Sequence, residues 1–71
     1  MKGFNFLVDA KTARISETYA GKKGISREEA MGRFLGSATY RLLNDADTGV
    51  YLEVFEYVYD LFLEEIGEAV E

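Results

Sequence analysis

Glu53, Glu56, Asp60, Glu64 and Glu68 recur at steps of three and four residues late in the chain. On a helix such steps line carboxylates along one face, roughly 5–6 Å apart. Tyr57 falls among them, exposed. A row of this kind offers three chemistries: acid/base catalysis, cation binding, or docking against a basic surface. Catalysis has little support. Histidine and cysteine are both absent, which removes the usual nucleophile–base pairs. A carboxylate pair also needs a pocket that drives one pKa away from the other. A chain of 71 residues barely makes one. The expectation is a non-enzyme with no catalytic residue and no cofactor.

Cation binding is read from Asp45-x-Asp47-x-Gly49 followed by Glu56. These acids fall at positions 1, 3 and 12 of a calcium loop. Position 5 is Gly49 rather than a ligand, and position 6 is Val50 rather than the required glycine. The reading is a plain acidic turn and no metal site. The absence of cysteine and histidine excludes structural zinc sites.

Docking, or simply a solvated outer face, which is the more common outcome for such a stripe, fits the charge distribution better. Residues 1–41 carry all eight basic residues against Asp9, Glu17, Glu28 and Glu29, a net +4. Residues 42–71 carry nine acids and no base, a net −9, which completes the overall −5. Like charges held on one surface repel, so something must offset the cost. Either the two halves fold against each other, or a basic partner meets the acidic half. An acidic chain argues against free nucleic acid as that partner.

The elements that position these residues are marked by glycine, because the chain has no proline. Phe4, Leu7, Val8, Ile15 and Tyr19 share a stripe at helical spacing, predicting a helix over 4–20; Phe4 to Val8 alone also reads as a short strand, but the stripe continues for four turns. Lys11 interrupts the stripe, with an aliphatic stem that can still pack there. Gly21 to Gly24, with Lys22 and Lys23, reads as its C-terminal cap. Ser26-Arg27-Glu28-Glu29 is a capping box that starts a second helix through Ala30, Met31, Phe34 and Leu35. Gly32 inside it costs about 1 kcal/mol against alanine and suggests a close helix contact. Gly36-Ser37 breaks or kinks that helix, and Ser37 is placed to cap a short third one through Tyr40, Leu42 and Leu43.

Asn44 to Gly49 is a loop by composition. Tyr51 to Val70 reads as a long amphipathic helix. Val54, Phe55, Val58, Leu61, Phe62, Ile66 and Ala69 cluster on its wheel, and Tyr51, Leu52, Tyr59, Leu63 and Val70 widen the apolar face to about 200°. Glu53, Glu56, Asp60, Glu64, Glu68 and Glu71 oppose it. Residues 50–54 have strand propensity, so the helix is allowed to begin a turn late. Glu64, Glu65, Glu68 and Glu71 crowd the negative end of the helix dipole, where cations belong.

Two alternatives stand beside docking. The second and third helices resemble a helix-turn-helix, with Arg33 and Arg41 facing phosphate. Against it, the would-be reading helix, Ala38 to Leu43, is short and half apolar. The wide apolar face fits either a central helix with neighbours on two sides or docking on another chain, and the lack of disulfide or metal staples adds self-association, most simply a homodimer, as an alternative.

The string Gly24-Ile25-Ser26-Arg27-Glu28-Glu29-Ala30, then Phe34, then Ser37-Ala38-Thr39-Tyr40-Arg41-Leu42-Leu43, Asp47-Thr48-Gly49-Val50-Tyr51 and Glu56-Tyr57-Val58 resembles a group of small helical bacterial proteins, a domain of unknown function. Some of those similar proteins are encoded beside ADP-ribosyltransferase-like toxins. The resemblance spans residues 4–66 and rests on turn and packing residues. It implies a small partner protein, antitoxin-like, and carries over no functional residue.

The expected fold is therefore all-α, one domain over 1–71, with three or four helices and a long acidic C-terminal helix. Phe55, Val58, Phe62 and Ile66 should supply most of the core, packed by Leu7, Val8, Ile15, Tyr19, Phe34 and Leu42. The expected function is a non-catalytic protein-binding module using Glu53, Glu56, Tyr57, Asp60, Glu64 and Glu68. No apolar run approaches the roughly 18 residues of a membrane span, so the expectation is no membrane, and the absence of cysteine fits a reducing, cytoplasmic setting.

Overall fold

The computed structural model describes residues 2–68. It is all-α, with no strand among the described residues. The order is α1 (Lys2–Lys23), α2 (Arg27–Leu35), α3 (Ala38–Leu43), two 3-10 turns (Ala46–Thr48 and Val50–Leu52) and α4 (Phe55–Glu65).

The longest helix is at the N-terminus, not the C-terminus. α1 has 22 residues, about 33 Å at 1.5 Å per residue. That is nearly the whole 34 Å long axis of the molecule. Its buried stripe is Val8, Thr12, Ile15, Ser16 and Tyr19. The two hydroxyls in that stripe are satisfied within the helix. Thr12 Oγ1 donates to Val8 O (2.8 Å) and Ser16 Oγ to Thr12 O (2.7 Å), so burying them leaves no orphan. Lys11 is half-buried and donates Nζ to Tyr51 O (3.0 Å).

α1 ends where glycine allows. Gly24 has φ +68°, and Gly24 N and Ile25 N both donate to Ala20 O. The chain then folds back as α2. Ser26 Oγ accepts from Glu29 N (3.0 Å), the first half of the expected capping box. Glu29 turns its carboxylate to Arg33 instead of completing it. Gly32 is exposed, with open space where a Cβ would stand, so the expected close contact is absent. Ser37 caps α3 by accepting from Tyr40 N (3.0 Å), as its sequence predicts.

The predicted last helix is cut at both ends. Val50–Leu52 wind into a 3-10 turn pinned to α1, with Tyr51 edge-on to Phe4 at 4.7 Å. Val54 is extended and starts α4 without a side-chain cap. At the far end Gly67, at φ +78°, terminates it. Gly67 N donates to Glu64 O and Glu68 N to Leu63 O, the paired hydrogen bonds of a Schellman cap. α4 is thus 11 residues long. Ala69, Val70 and Glu71 of the predicted helix lie outside the described residues.

The core is an aromatic centre with aliphatic flanks. Phe62 meets Tyr19 and Phe34 edge-on at 5.2 and 5.1 Å, and Phe34 meets Tyr40 at 5.7 Å. Each such contact adds about 0.5–1.5 kcal/mol beyond area burial. Val8, Ile15, Ala30, Leu43, Val58 and Leu63 complete the buried set. Two expected core residues are corrected. Leu42 is 43% exposed, because the Ser37 cap fixes α3 so that Thr39 and Leu43 face inward. Ile66 is 39% exposed, because the helix register stops at Glu65. Phe55 and Leu7 are only half-buried.

Candidate protein-interaction face

α4 buries Val58, Phe62 and Leu63, which turns the opposite side of the helix outward. Glu56, Asp60 and Glu64 all stand on that outer side, exposed, at four-residue steps. Each step is about 6 Å of helix rise. Tyr57 is 47% exposed beside them. Glu53 is exposed too, but it sits in the extended link before α4 rather than on the helix. Of the six residues expected on the face, five are therefore exposed together around α4 and its entry.

Glu68 does not join them. Beyond Gly67 the chain turns inward, and Glu68 pairs with Lys23 Nζ at 2.8 Å. Tyr19 Oη donates to the same carboxylate at 3.4 Å. The hydrogen bond and charge of Lys23, with the Tyr19 hydroxyl, hold the Glu68 carboxyl below the usual range. Lys23 is raised in return, first by its bond to Glu68. An expected docking residue is thus an internal clasp between α1 and the end of α4. The reason is local: the left-handed Gly67 redirects the chain before the stripe reaches Glu68.

Glu65, legible in the sequence only as an acid at the wrong end of a helix, has the most defined surroundings of any carboxylate here. Its oxygens accept from Ala38 N (2.7 Å), Thr39 N (2.8 Å) and Thr39 Oγ1 (2.7 Å). Burial pushes its pKa up, but those bonds and the nearby Arg41 charge outweigh it and leave the group lowered. The negative end of α4 is therefore compensated twice from within, by the α3 amides at Glu65 and by Lys23 at Glu68.

Other cations are engaged away from the α4 face. Arg33 pairs with Glu29 at 2.7 Å and donates Nη1 to Tyr19 Oη at 3.4 Å. Arg27 lies 3.7 Å from Glu17. The Arg14 guanidinium stands 4.0 Å above the Phe55 ring, which stacks on Tyr59. Glu53, Glu56, Asp60 and Glu64 form no ion pair among the described residues.

The acidic turn is used for its own geometry. Asp45 Oδ1 accepts from Asp47 N (3.0 Å), and Thr48 Oγ1 donates to Leu42 O and Asp45 O. Among the described residues no three acidic side chains converge as metal ligands would. A shallow hollow on α2 is lined by Arg27, Glu28 and Met31.

No protein-family model, curated protein or solved structure matches the chain. No helix among the described residues is long and apolar enough to cross a membrane.

Proposed function

We propose that this protein is a non-catalytic interaction module that docks a basic protein surface on the outer face of α4. Glu56, Tyr57, Asp60 and Glu64 form the centre of the contact, with Glu53 at its edge. One observation carries the reading: the acids of this face have no cation from their own fold among the described residues, whereas Glu68 has one and Glu65 has the α3 amides. Exposed like charges at helical spacing cost about 0.2–0.5 kcal/mol per pair, and a basic partner recovers that cost on binding. Tyr57 supplies the amphipathic ring that interfaces favour. The finer form of the proposal is an antitoxin-like neutraliser, drawn from the sequence resemblance, in a cytoplasmic setting, which a cysteine-free chain fits.

The helix-turn-helix reading has less support. Arg33 is turned to Glu29 and Tyr19, and a carboxylate covers the amino end of α3 where a phosphate or base edge would have to approach. Self-association is the second reading. It is favoured by Phe6, Leu52 and Val54, exposed at 70%, 67% and 65%.

The test is capture of partners from the source lysate with the tagged protein and with E56K/D60K/E64K, alongside light scattering. A stoichiometric basic partner, lost in the triple variant while its circular dichroism stays helical, is the expected result. Equal capture by both proteins overturns the reading. A dimer that captures nothing moves the function to self-association.

A further inference from the structure

A helix opens with four amide donors that have no partner inside it. In α3 every one is met. Ser37 N donates to Phe34 O, Tyr40 N to Ser37 Oγ, and both Ala38 N and Thr39 N to Glu65. The buried Thr39 hydroxyl donates a hydrogen bond to Glu65 as well. Two of the four donors, and a hydroxyl that burial would otherwise orphan, thus depend on one carboxylate in another helix.

α3 has little else to hold it. It is six residues long, well short of the roughly 12–15 that an isolated helix needs. Inward it offers Thr39, Leu43 and the edge of Tyr40 on Phe34. After it, residues 44–48 are exposed, and their hydrogen bonds run among themselves, back to Tyr40 and Leu42 in α3, and on to Val50. The next anchor to α1 is Tyr51, through Phe4 and Lys11. The rest of the fold has its own joints: the α1–α2 turn, the Phe62 contacts with Tyr19 and Phe34, and the Lys23–Glu68 pair.

We propose that residues 37–49 form a strap that opens as a unit from a persisting body of α1, α2 and α4, with the Glu65 carboxylate as its latch. Opening breaks the three Glu65 bonds and lifts Leu43 and Tyr40 from their seats. It leaves the Tyr19–Phe62–Phe34 centre in place. The strap is independent of what docks on α4.

Native-state hydrogen exchange of the full chain, measured across low denaturant, tests this. Amides of residues 41–44 should exchange at least about tenfold faster than those of residues 15–19, with a weaker denaturant dependence that marks sub-global opening. Glu65→Gln should speed the first group roughly five- to tenfold further, and Thr39→Val, which deletes one of the three bonds, by a smaller factor. A single exchange isotherm shared by both groups overturns the strap. Separate isotherms that neither substitution moves overturn the latch. Should the Glu65 variant fail to fold, the wild-type isotherms and Thr39→Val decide the matter.

Discussion

Among single residues, the informative contrast lies between acids of one type. Glu64 and Glu65 are neighbours in sequence, yet one is solvated and the other accepts three bonds from α3. The difference shows in the pH dependence of stability. The folded pKa of Glu65 is lowered, so its contribution is present above the ordinary carboxylate range and is lost as pH falls through the folded value. Glu68 follows the same sign, whereas Lys23 is raised and its contribution is lost only as pH climbs through its folded value. Stability should therefore be level from about pH 5 to about pH 10 and fall on both sides. Glu65→Gln should cost about 1 kcal/mol at neutral pH, the scale of a lost helix cap. It should also flatten the acid limb of the curve. Urea titrations of both proteins between about pH 3 and pH 7 measure both effects. A parallel acid limb in the variant would mean that the carboxylate contributes nothing as an ion.

Among the elements, two glycines separate what helix geometry asks for from what the sequence merely contains. Gly32 lies mid-helix in α2 with open space at its Cβ position, so Gly32→Ala should stabilise by about 0.5–1 kcal/mol. Gly67 also has open space, but its φ is +78°. Gly67→Ala should cost about 1–2 kcal/mol purely through the backbone. Thermal melts of the pair should move in opposite directions, and melts moving together would contradict the assigned caps. The same glycine explains much of what is and is not legible in the sequence. The Ser26 and Ser37 caps, the α1 cap at Gly24 and the inner residues Val58 and Phe62 follow from short-range patterns. The last helix reads too long because its apolar periodicity runs through Gly67 without a visible break. Thr12 and Ser16 escape a search for apolar stripes because they are polar by type, although each stands four residues after the carbonyl that its hydroxyl bonds, Val8 O and Thr12 O. Of the α4 face, Glu56, Asp60 and Glu64 need only helical spacing. The inward turn of Glu68 and the Glu65 latch link residues 45 and 26–27 positions apart, respectively, which no local pattern contains.

For the molecule as a whole, the separation of +4 and −9 along the sequence is only partly closed by folding. Cross-half contacts settle the end of α4, and the first half spends Arg33 and Arg27 on its own acids Glu29 and Glu17. What stays uncompensated is the row Glu56, Asp60, Glu64, whose adjacent members repel. A face kept for a partner should cost stability in the free protein, and that cost should be electrostatic. Replacing each carboxylate of the row by its amide removes the repulsion while keeping size and hydrogen-bonding capacity. The triple variant E56Q/D60N/E64Q should be more stable than the natural chain by up to about 1 kcal/mol at low salt, from two four-residue pairs, less the favourable placement of Glu56 in the first turn of α4. Added salt should shrink the gain as the Debye length falls to about 10 Å at 0.1 M and about 3 Å at 1 M. The measurement is the melting temperature of both proteins across that range. Convergence at high salt identifies the row as a standing electrostatic cost of the fold, and with it the property a basic surface would relieve. A gain that persists at 1 M salt would trace instead to helix propensity or side-chain packing. An absent gain at low salt would mean that solvent already screens the row, leaving binding no repulsion to recover.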